Sequence, residues 1–281
     1  MRLGDGRGSN NFEDRTGQSG FGGGGMGGGI LGLILPLVAS RFGIVGILVL
    51  GLGYCALTSL GGLGGGGGSP TTTGKSTLTP EQQRVLVGVL GSTEQVWGQI
   101  FTASGAQYKP TRLVAYSNAN QSGCGAAQAA MGPFYCPTDQ SIYIDPQFFD
   151  ELARRFQAPG DAAQAYVIAH EVGHHIQNLQ GTLDRAQSAQ ARTDKASGNA
   201  VQVGVELQAD CYAGVWAKRS GALEEGDIAE GMRAAEAIGD DALTKGRVSP
   251  DNFTHGTSAQ RQEALNRGLA SGDPSQCNYA R

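Results

Sequence analysis

Residues 161–179 read DAAQAYVIAHEVGHHIQNL and carry the longest helical signal in the chain. Its apolar side chains recur at helical spacing, a Pro-Gly pair precedes it, and Gly181 follows it. Such signals predict one long helix with an apolar face. Near its middle, His170, Glu171 and His174 form the pattern H-E-x-x-H. Three of the four histidines in the chain therefore lie together on one predicted helix.

The H-E-x-x-H spacing has a chemical reason. Residues four apart on a helix point to the same side, so His170 and His174 can bind one metal ion. Glu171 follows directly, where its carboxylate can hold a reactive water rather than the metal. The pattern predicts a zinc site with Glu171 as general base and acid. The alternative, an amphipathic helix whose histidines only add polarity to its surface, is less consistent with three clustered histidines in a histidine-poor chain. His175 faces another side, and we expect it to support the site or to be exposed.

A catalytic zinc site needs a third protein ligand and one open coordination position. Glu206 and Asp210 lie four apart in a second predicted helix that is otherwise mostly apolar. Glu206 is the expected third ligand, and Asp210 is the expected acceptor of the Nδ1–H of a ligating histidine. His255 is an alternative ligand. We otherwise expect it to donate to the developing oxyanion, with Tyr212 and Tyr166 as weaker candidates.

These motifs carry a resemblance to a known family. HEVGHHIQ (170–177) and ELQADCYAG (206–214) resemble the membrane-anchored bacterial neutral zinc metallopeptidases of the gluzincin type. The stretches SNNFEDRTG, CGAAQAAMGPFYCP, IYIDPQFF and THGTSAQRQEA match the same pattern, so the resemblance covers nearly the whole chain. It implies a zincin-like fold, one Zn²⁺ per chain and hydrolysis of a peptide or protein substrate. In that family pattern the ligands would be His170, His174 and Glu206, with Glu171 as the catalytic acid and base.

Two other functions are compatible with a zinc site. A membrane-tethered binding or assembly protein with a structural zinc would have a closed coordination shell and no need of Glu171. Structural zinc sites more often use cysteine thiolates, and the five cysteines of this chain are not spaced for one. A metallohydrolase that acts on something other than peptides would use the same zinc–water chemistry, and the sequence does not distinguish it.

A long apolar stretch, residues 30–60, precedes the motifs. Its core, 42–60, reads FGIVGILVLGLGYCALTSL and contains 19 uncharged positions, about the number that a helix needs to cross a bilayer. Arginines precede this core, and only Lys75 follows closely, which favours a cytoplasmic N-terminus. We interpret the stretch as a single-pass anchor in the bacterial inner membrane, with the catalytic domain on the extracytoplasmic (periplasmic) side. A cleaved signal peptide is the rival, but no clear A-x-A site follows.

Composition divides the rest of the chain. Glycine accounts for 46 of the 281 residues of the whole sequence. Residues 1–29 are predicted to be a disordered cytoplasmic tail, 61–77 a Gly/Ser/Thr linker and 78–281 one metallopeptidase domain. Helices dominate that domain, and strands are predicted at 112–116 and 140–144. The expected class is therefore α+β, mostly helical with a small sheet. We expect strand 140–144 to be the edge strand that pairs with an extended substrate.

The cysteines and the net charge restrict the compartment and the partners. Cys124 and Cys136 pair most naturally, which would join Cys211 to Cys277 in an oxidising compartment, although three connectivities are possible. Cys55 lies within the apolar stretch. The net charge is −4, and no basic block occurs, so a nucleic-acid binder that relies on phosphate neutralisation is excluded.

Overall fold

The computed structural model describes residues 1–3, 8–18 and 75–280. Most of these residues are helical, which confirms the predicted α+β class with a small sheet. The helices are α1 Pro80–Ala103, α2 Gln147–Arg154, α3 Asp161–Leu179, α4 Thr182–Gln190, α5 Lys195–Ser220, α6 Asp227–Ala237, α7 Asp240–Thr244 and α8 Ser258–Ser271.

The strands form a four-stranded sheet and a separate two-stranded hairpin. The sheet order is β1-β2-β6-β5, in which β2 pairs in parallel with β1 and β6, and β5 pairs antiparallel with β6. The predicted strand 140–144 is β6 and lies inside the sheet, so its prediction as an edge strand is wrong. The strands are β1 Phe12–Arg15, β2 Arg112–Tyr116, β3 Ala119–Ser122, β4 Gly125–Gln128, β5 Phe134–Cys136 and β6 Ser141–Ile144, with β3 and β4 forming the hairpin.

The two faces of the sheet pack against different parts of the domain. Leu113 and Ala115 of β2 point into the main hydrophobic core, to which the helices contribute. Val114 and Tyr116 point to the other face, where they pack with Ala127 of the β3–β4 hairpin. Because successive side chains of a strand point to opposite faces, both sides of β2 are covered and all four residues are fully buried.

Local sequence signals set the helix ends. The Thr79 side chain accepts the backbone N–H of Gln82, and the Gln82 side chain accepts the backbone N–H of Thr79, which forms a capping box with Pro80 in the first turn. Gly181, with a φ of 69°, follows α3 in the left-handed conformation that glycine adopts without strain. The helix with the metal motif therefore has the predicted bounds, 161–179.

Residues 12–15 form β1, so the prediction of disorder throughout 1–29 is wrong for the described residues 8–18. The register pairs Phe12 with Leu113 and Arg15 with Tyr116. Phe12 packs against the main core, and the Ser9 hydroxyl donates to a carboxylate oxygen of α1. The apolar contact and the strand pairing offset the entropy cost of ordering this segment.

The pairing of β1 with β2 bears on the predicted membrane topology. A strand that hydrogen-bonds to β2 lies on the same side of any membrane as β2. A single crossing by residues 30–60 would place 1–29 and 78–281 on opposite sides. Residues 12–15 belong to the sheet of the domain, so the described segment 8–18 lies with the domain, and the membrane location itself stays a prediction.

Thr16 and Thr77 lie close together, although 60 residues separate them in the sequence. The backbone N–H of Thr77 donates to the Thr16 hydroxyl at 3.0 Å. The predicted anchor, residues 30–60, and linker positions 61–74 lie outside the described residues. In the ranges that the structure describes, no helix combines the length and apolarity that a membrane span requires.

Two disulfides connect the domain. Cys124 joins Cys136 with a Cα–Cα distance of 5.8 Å and ties the β3–β4 hairpin to β5. Cys211 joins Cys277 with a Cα–Cα distance of 5.6 Å and ties α5 to the C-terminal segment. Of the three possible connectivities, the structure contains the expected one, in which the first cysteine of the domain pairs with the second and the third pairs with the fourth.

Candidate metal centre

The predicted metal-binding residues lie where α3 crosses α5. A Cβ on Gly173 would lie 2.9 Å from both the Cα and the carbonyl oxygen of Ala209, so only glycine fits at this crossing. The close approach brings both histidines of α3 to Glu206 of α5. His170 Nε2 lies 3.2 Å from Glu206 Oε2, and His174 Nε2 lies 3.7 Å from Glu206 Oε1.

Each imidazole is oriented by a hydrogen bond at its other ring nitrogen. His170 Nδ1 donates to Asp210 Oδ1 at 2.8 Å, and His174 Nδ1 donates to Gln177 Oε1 at 2.9 Å. Because both acceptors are oxygen atoms, Nδ1 carries the proton in each neutral ring, and Nε2 keeps a free lone pair. Both lone pairs are therefore available at the side of the rings that faces Glu206.

The donor set fits zinc. The ligand atoms of His170, His174 and Glu206 lie within 4.8 Å of one another. Two imidazoles and one carboxylate form the ligand set of a catalytic zinc site that keeps an open position. Two ligand atoms that are each about 2.0 Å from a tetrahedral ion are about 3.3 Å apart. The separation of 3.2 Å between His170 Nε2 and Glu206 Oε2 is close to that value, and His174 Nε2 lies 3.7 Å from the other carboxylate oxygen, Oε1.

Glu171 lies beside this donor set. Its side chain is buried, and Oε2 has no hydrogen-bond partner among the described residues. Burial raises the pKa of Glu171, against the opposing effect of the His174 and His170 imidazoles. Leaving a buried carboxylate oxygen without a partner costs free energy, so Oε2 of Glu171 is a candidate contact for a bound water or substrate beside the donor set.

Electrostatics favour a charged Glu206. Burial opposes its ionisation, but the imidazoles of His174, His170 and His255 outweigh burial and hold the pKa of Glu206 well below its usual range. Burial also opposes the charged form of His170, and the Asp210 carboxylate reverses that effect and raises the pKa of His170 to about 9. Glu206 is therefore ionised in its buried position and can act as an anionic metal ligand.

Sequence reasoning missed the groups that hold Asp210. Arg261 of α8 is buried, and its Nε and Nη2 donate to Asp210 Oδ2 and Oδ1 at 2.8 and 2.9 Å. The Tyr166 hydroxyl donates to Asp210 Oδ1 at 2.6 Å, so this tyrosine supports Asp210 and its hydroxyl is not free for an oxyanion. Arg261 belongs to the stretch THGTSAQRQEA, but nothing in its spacing indicated a partner 51 residues earlier.

His255 lies at the edge of the site, outside the donor set. Its Nδ1 is 3.2 Å from Asp240 Oδ1, and Asp240 Oδ2 accepts the backbone N–H groups of Thr254, His255 and Gly256. The side chain is 29% exposed. Because Asp240 engages Nδ1, the Nε2 of His255 is left for other contacts. Sequence reasoning also missed Asp240, which immediately follows the Ile238-Gly239 pair at the end of α6.

Two further candidates lie away from the donor set. His175 is fully buried: Nε2 donates to the Lys109 carbonyl at 2.7 Å, and Nδ1 accepts from the Tyr135 hydroxyl at 3.0 Å. Burial lowers its pKa, so His175 is a neutral residue that ties α3 to edge strand β5, and the expectation of exposure is wrong. The Tyr212 hydroxyl donates to Gln180, which leaves it no part in the site.

Comparison with known proteins is consistent with this geometry. The profile of the family described as "Putative neutral zinc metallopeptidase" matches residues 1–280. The chain belongs to the neutral zinc metallopeptidase family. The match includes residues 8–18, which form β1, and the two motif helices α3 and α5. The family resemblance derived from the sequence motifs is therefore confirmed.

Several bacterial proteins are similar in sequence to this metallopeptidase. The chain is 44% identical to the uncharacterized protein YpfJ of Escherichia coli strain K12, over 99% of this chain and 98% of the relative. It is 39% identical to the uncharacterized protein Rv2575 of Mycobacterium tuberculosis strain H37Rv, over 69% of each chain. No solved structure is significantly similar to the chain.

Proposed function

We propose that the protein is a zinc-dependent peptidase that hydrolyses peptide bonds in a peptide or protein substrate. The observation that carries the proposal is the convergence of His170 Nε2, His174 Nε2 and the Glu206 carboxylate beside Glu171 Oε2, a buried acceptor with no partner in the described ranges. This arrangement has an ion-binding donor set and a separate base, which are the two elements of metal-assisted hydrolysis.

His170, His174 and Glu206 would hold the ion. When bound, zinc with an open position supplies a Lewis acid and lowers the pKa of water to about 7. Glu171 would take the proton from the attacking water and deliver it to the leaving amine. Its raised pKa suits this role, because a base that must also act as an acid works best with a pKa nearer neutrality.

His255 is our candidate for the oxyanion donor. Its Nδ1 donates to Asp240, so donation from Nε2 to the developing charge uses the imidazolium form, whose positive charge the Asp240 carboxylate balances. Asp240 would act as a positioning residue, because it holds both the imidazole and the backbone of Thr254, His255 and Gly256.

The disulfides and the apolar stretch support a location. Disulfides persist in oxidising compartments, so Cys124–Cys136 and Cys211–Cys277 favour an extracytoplasmic domain. We propose attachment to the bacterial cell membrane through residues 30–60, with residues 1–18 on the same side as the domain because of the β1–β2 pairing. This arrangement replaces the cytoplasmic N-terminus that the arginine count predicted.

The test uses the purified full chain. Zinc content is measured in the parent, in Glu206→Ala and in Glu171→Gln, and each protein is assayed against a peptide library. We expect one zinc in the parent, clear loss in Glu206→Ala, and retained zinc with abolished cleavage in Glu171→Gln. Exposed Glu225→Gln is the matched control and should change neither quantity.

Other results would point to the competing functions. Zinc in the parent without peptide cleavage, and with no effect of Glu171→Gln, would favour a binding protein with a non-catalytic zinc. Hydrolysis of non-peptide acyl substrates alone would favour a different metallohydrolase. Equal zinc in the parent and Glu206→Ala would remove Glu206 from the ligand set and make His255 the next ligand to test.

A further inference from the structure

The orientation of His174 depends on a chain of buried amides. Gln177, which accepts the Nδ1–H of His174, uses its own Nε2 to donate to the Val205 carbonyl at 2.7 Å and to Gln208 Oε1 at 3.0 Å. Gln208 Nε2 then donates to the Cys277 carbonyl at 2.8 Å. Gln177 is fully buried and Gln208 nearly so, so water does not readily replace a lost partner.

This chain of hydrogen bonds ends on a segment that is held by a disulfide. Cys277 follows a short 3₁₀ turn, Pro274–Gln276, and its sulfur is bonded to Cys211 of α5. Both cysteines are buried. Cys211 directly follows Asp210, the acceptor for His170. The Cys211–Cys277 disulfide therefore fixes the segment whose Cys277 carbonyl ends the hydrogen-bonded chain from His174. Its other cysteine, Cys211, is the neighbour of Asp210, the acceptor for His170.

The two histidines are supported unequally. Asp210, which orients His170, is also held by Arg261 and Tyr166, so three side chains fix that ring. Gln177, which orients His174, has no charged partner in the contacts described, and its amide depends on Val205 and Gln208. If the Cys277 carbonyl moved away, the Gln208 amide nitrogen would lose its acceptor. Gln208 and then Gln177 would be free to rotate, and Gln177 would no longer orient His174.

We propose that the Cys211–Cys277 disulfide and Gln208 position His174 for metal binding, through Gln177. The affinity for zinc is then higher with this disulfide formed than with both cysteines as thiols. The proposal rests on the proposed zinc site, and it assigns positioning roles to residues that do not touch the ion. Loss of a group that orients a metal ligand typically weakens metal affinity about 10- to 100-fold.

The experiment measures the apparent Kd for zinc of the full chain by competition with a chelator. We expect Cys211→Ala/Cys277→Ala to raise this Kd by about 10-fold or more. The matched control, Cys124→Ala/Cys136→Ala, removes the disulfide of the hairpin and should leave the Kd within about 2-fold of the parent. Circular dichroism verifies that each variant is folded.

Gln208→Leu breaks the hydrogen-bonded chain and leaves both disulfides intact, so it tests the proposal even if the cysteine variant does not fold. It should also raise the zinc Kd. Combined with Cys211→Ala/Cys277→Ala, its effect should be clearly less than additive, because both changes act on His174 by one route. A general loss of stability would not produce this coupling.

The outcomes separate the two proposals. Zinc binding by the parent, with a Kd unchanged in Gln208→Leu or equally raised by both disulfide deletions, overturns the positioning role and leaves the proposed function intact. Additive effects of Gln208→Leu and the cysteine changes also overturn it. A folded parent that binds no zinc overturns both.

Discussion

Arg261 donates two hydrogen bonds to Asp210 in the interior of the domain, from Nε to Oδ2 and from Nη2 to Oδ1. Both side chains are almost wholly shielded from solvent. Asp210 in turn holds His170, so the ion pair lies directly behind a proposed zinc ligand. Arg261 Nη2 is also 4.0 Å from Glu206 Oε2. A cation from α8 thus offsets the negative charge that α5 brings to the site.

Replacing Arg261 by Met should destabilise the domain strongly. It leaves Asp210 buried without its charged partner, and breaking a buried ion pair in this way costs about 3–5 kcal/mol. The free energy of unfolding, measured with urea, tests this. Arg267→Met on the same helix is the control: its pair with Glu263 is solvent-exposed and is worth about 1 kcal/mol or less. Equal losses in the two variants would contradict the assigned importance of the buried pair.

Gly173→Ala should separate α3 from α5. The new Cβ would meet backbone atoms of Ala209, which do not move as a flexible side chain does. Overpacking of this kind costs about 1–3 kcal/mol. We expect lower stability and weaker zinc binding, since the helix crossing brings His170 and His174 to Glu206.

Gly98→Ala is the matched control for that change. Gly98 lies within α1, and a Cβ there would have no heavy atom within 4 Å. The substitution should stabilise the domain by about 0.5–1 kcal/mol, because alanine loses less backbone entropy in a helix. A stabilising Gly173→Ala would refute the steric reading of the crossing.

Asp240→Asn should lower kcat on a cleaved peptide, by less than His255→Ala, with zinc content unchanged. Removal of one oxyanion donor lowers kcat about 10²- to 10³-fold, whereas loss of its positioning partner leaves the donor present. Loss of zinc from Asp240→Asn would contradict a role confined to His255.

The same variant should change the acid stability. Burial opposes ionisation of Asp240, but the contacts with His255 outweigh it and lower its pKa. A lowered folded-state pKa gives stability above the unfolded pKa of about 3.9, which is lost as the pH falls through the folded value. Unfolding measured below about pH 4 should therefore be less pH-dependent in Asp240→Asn than in the parent.

Residues 18 and 75 should lie on the same side of the membrane. Gln18→Cys and Lys75→Cys, made separately with Cys55→Ser, are labelled in intact cells with a membrane-impermeant maleimide. Exposed Glu225→Cys reports the side of the domain. All three should react to a similar extent. Reaction of Gln18→Cys only after cell lysis would contradict the β1–β2 pairing in the mature protein.

The helices that contribute the candidate ligands could be predicted because their signals are local. His170 and His174 are one helical turn apart, and so are Glu206 and Asp210, so spacing alone places each pair on one helix face. The helix bounds at 161 and 179 follow from the flanking Pro-Gly and Gly181. The α+β class followed from counting such segments.

Contacts between distant segments could not be predicted in this way. Arg261, Asp240 and Gln177 acquire their roles from partners on other elements, and no periodicity encodes those encounters. The segment around β1 is short, polar and followed by glycines, which is typical of a disordered tail. Only its pairing with β2 makes it a strand, and tertiary context overrides local preference there.

The position of β1 has a consequence for the order of folding. Its partner β2 is synthesised roughly one hundred residues later, and the apolar stretch lies between them. The strand β1 therefore stays unpaired until the residues up to the end of β2 have been synthesised. Strand pairs that are this far apart in sequence form slowly, because the entropy cost of closing the intervening loop precedes the stabilising contacts between the strands. Completion of the sheet is thus a late event, and a chain interrupted before residue 112 has no partner for its own beginning.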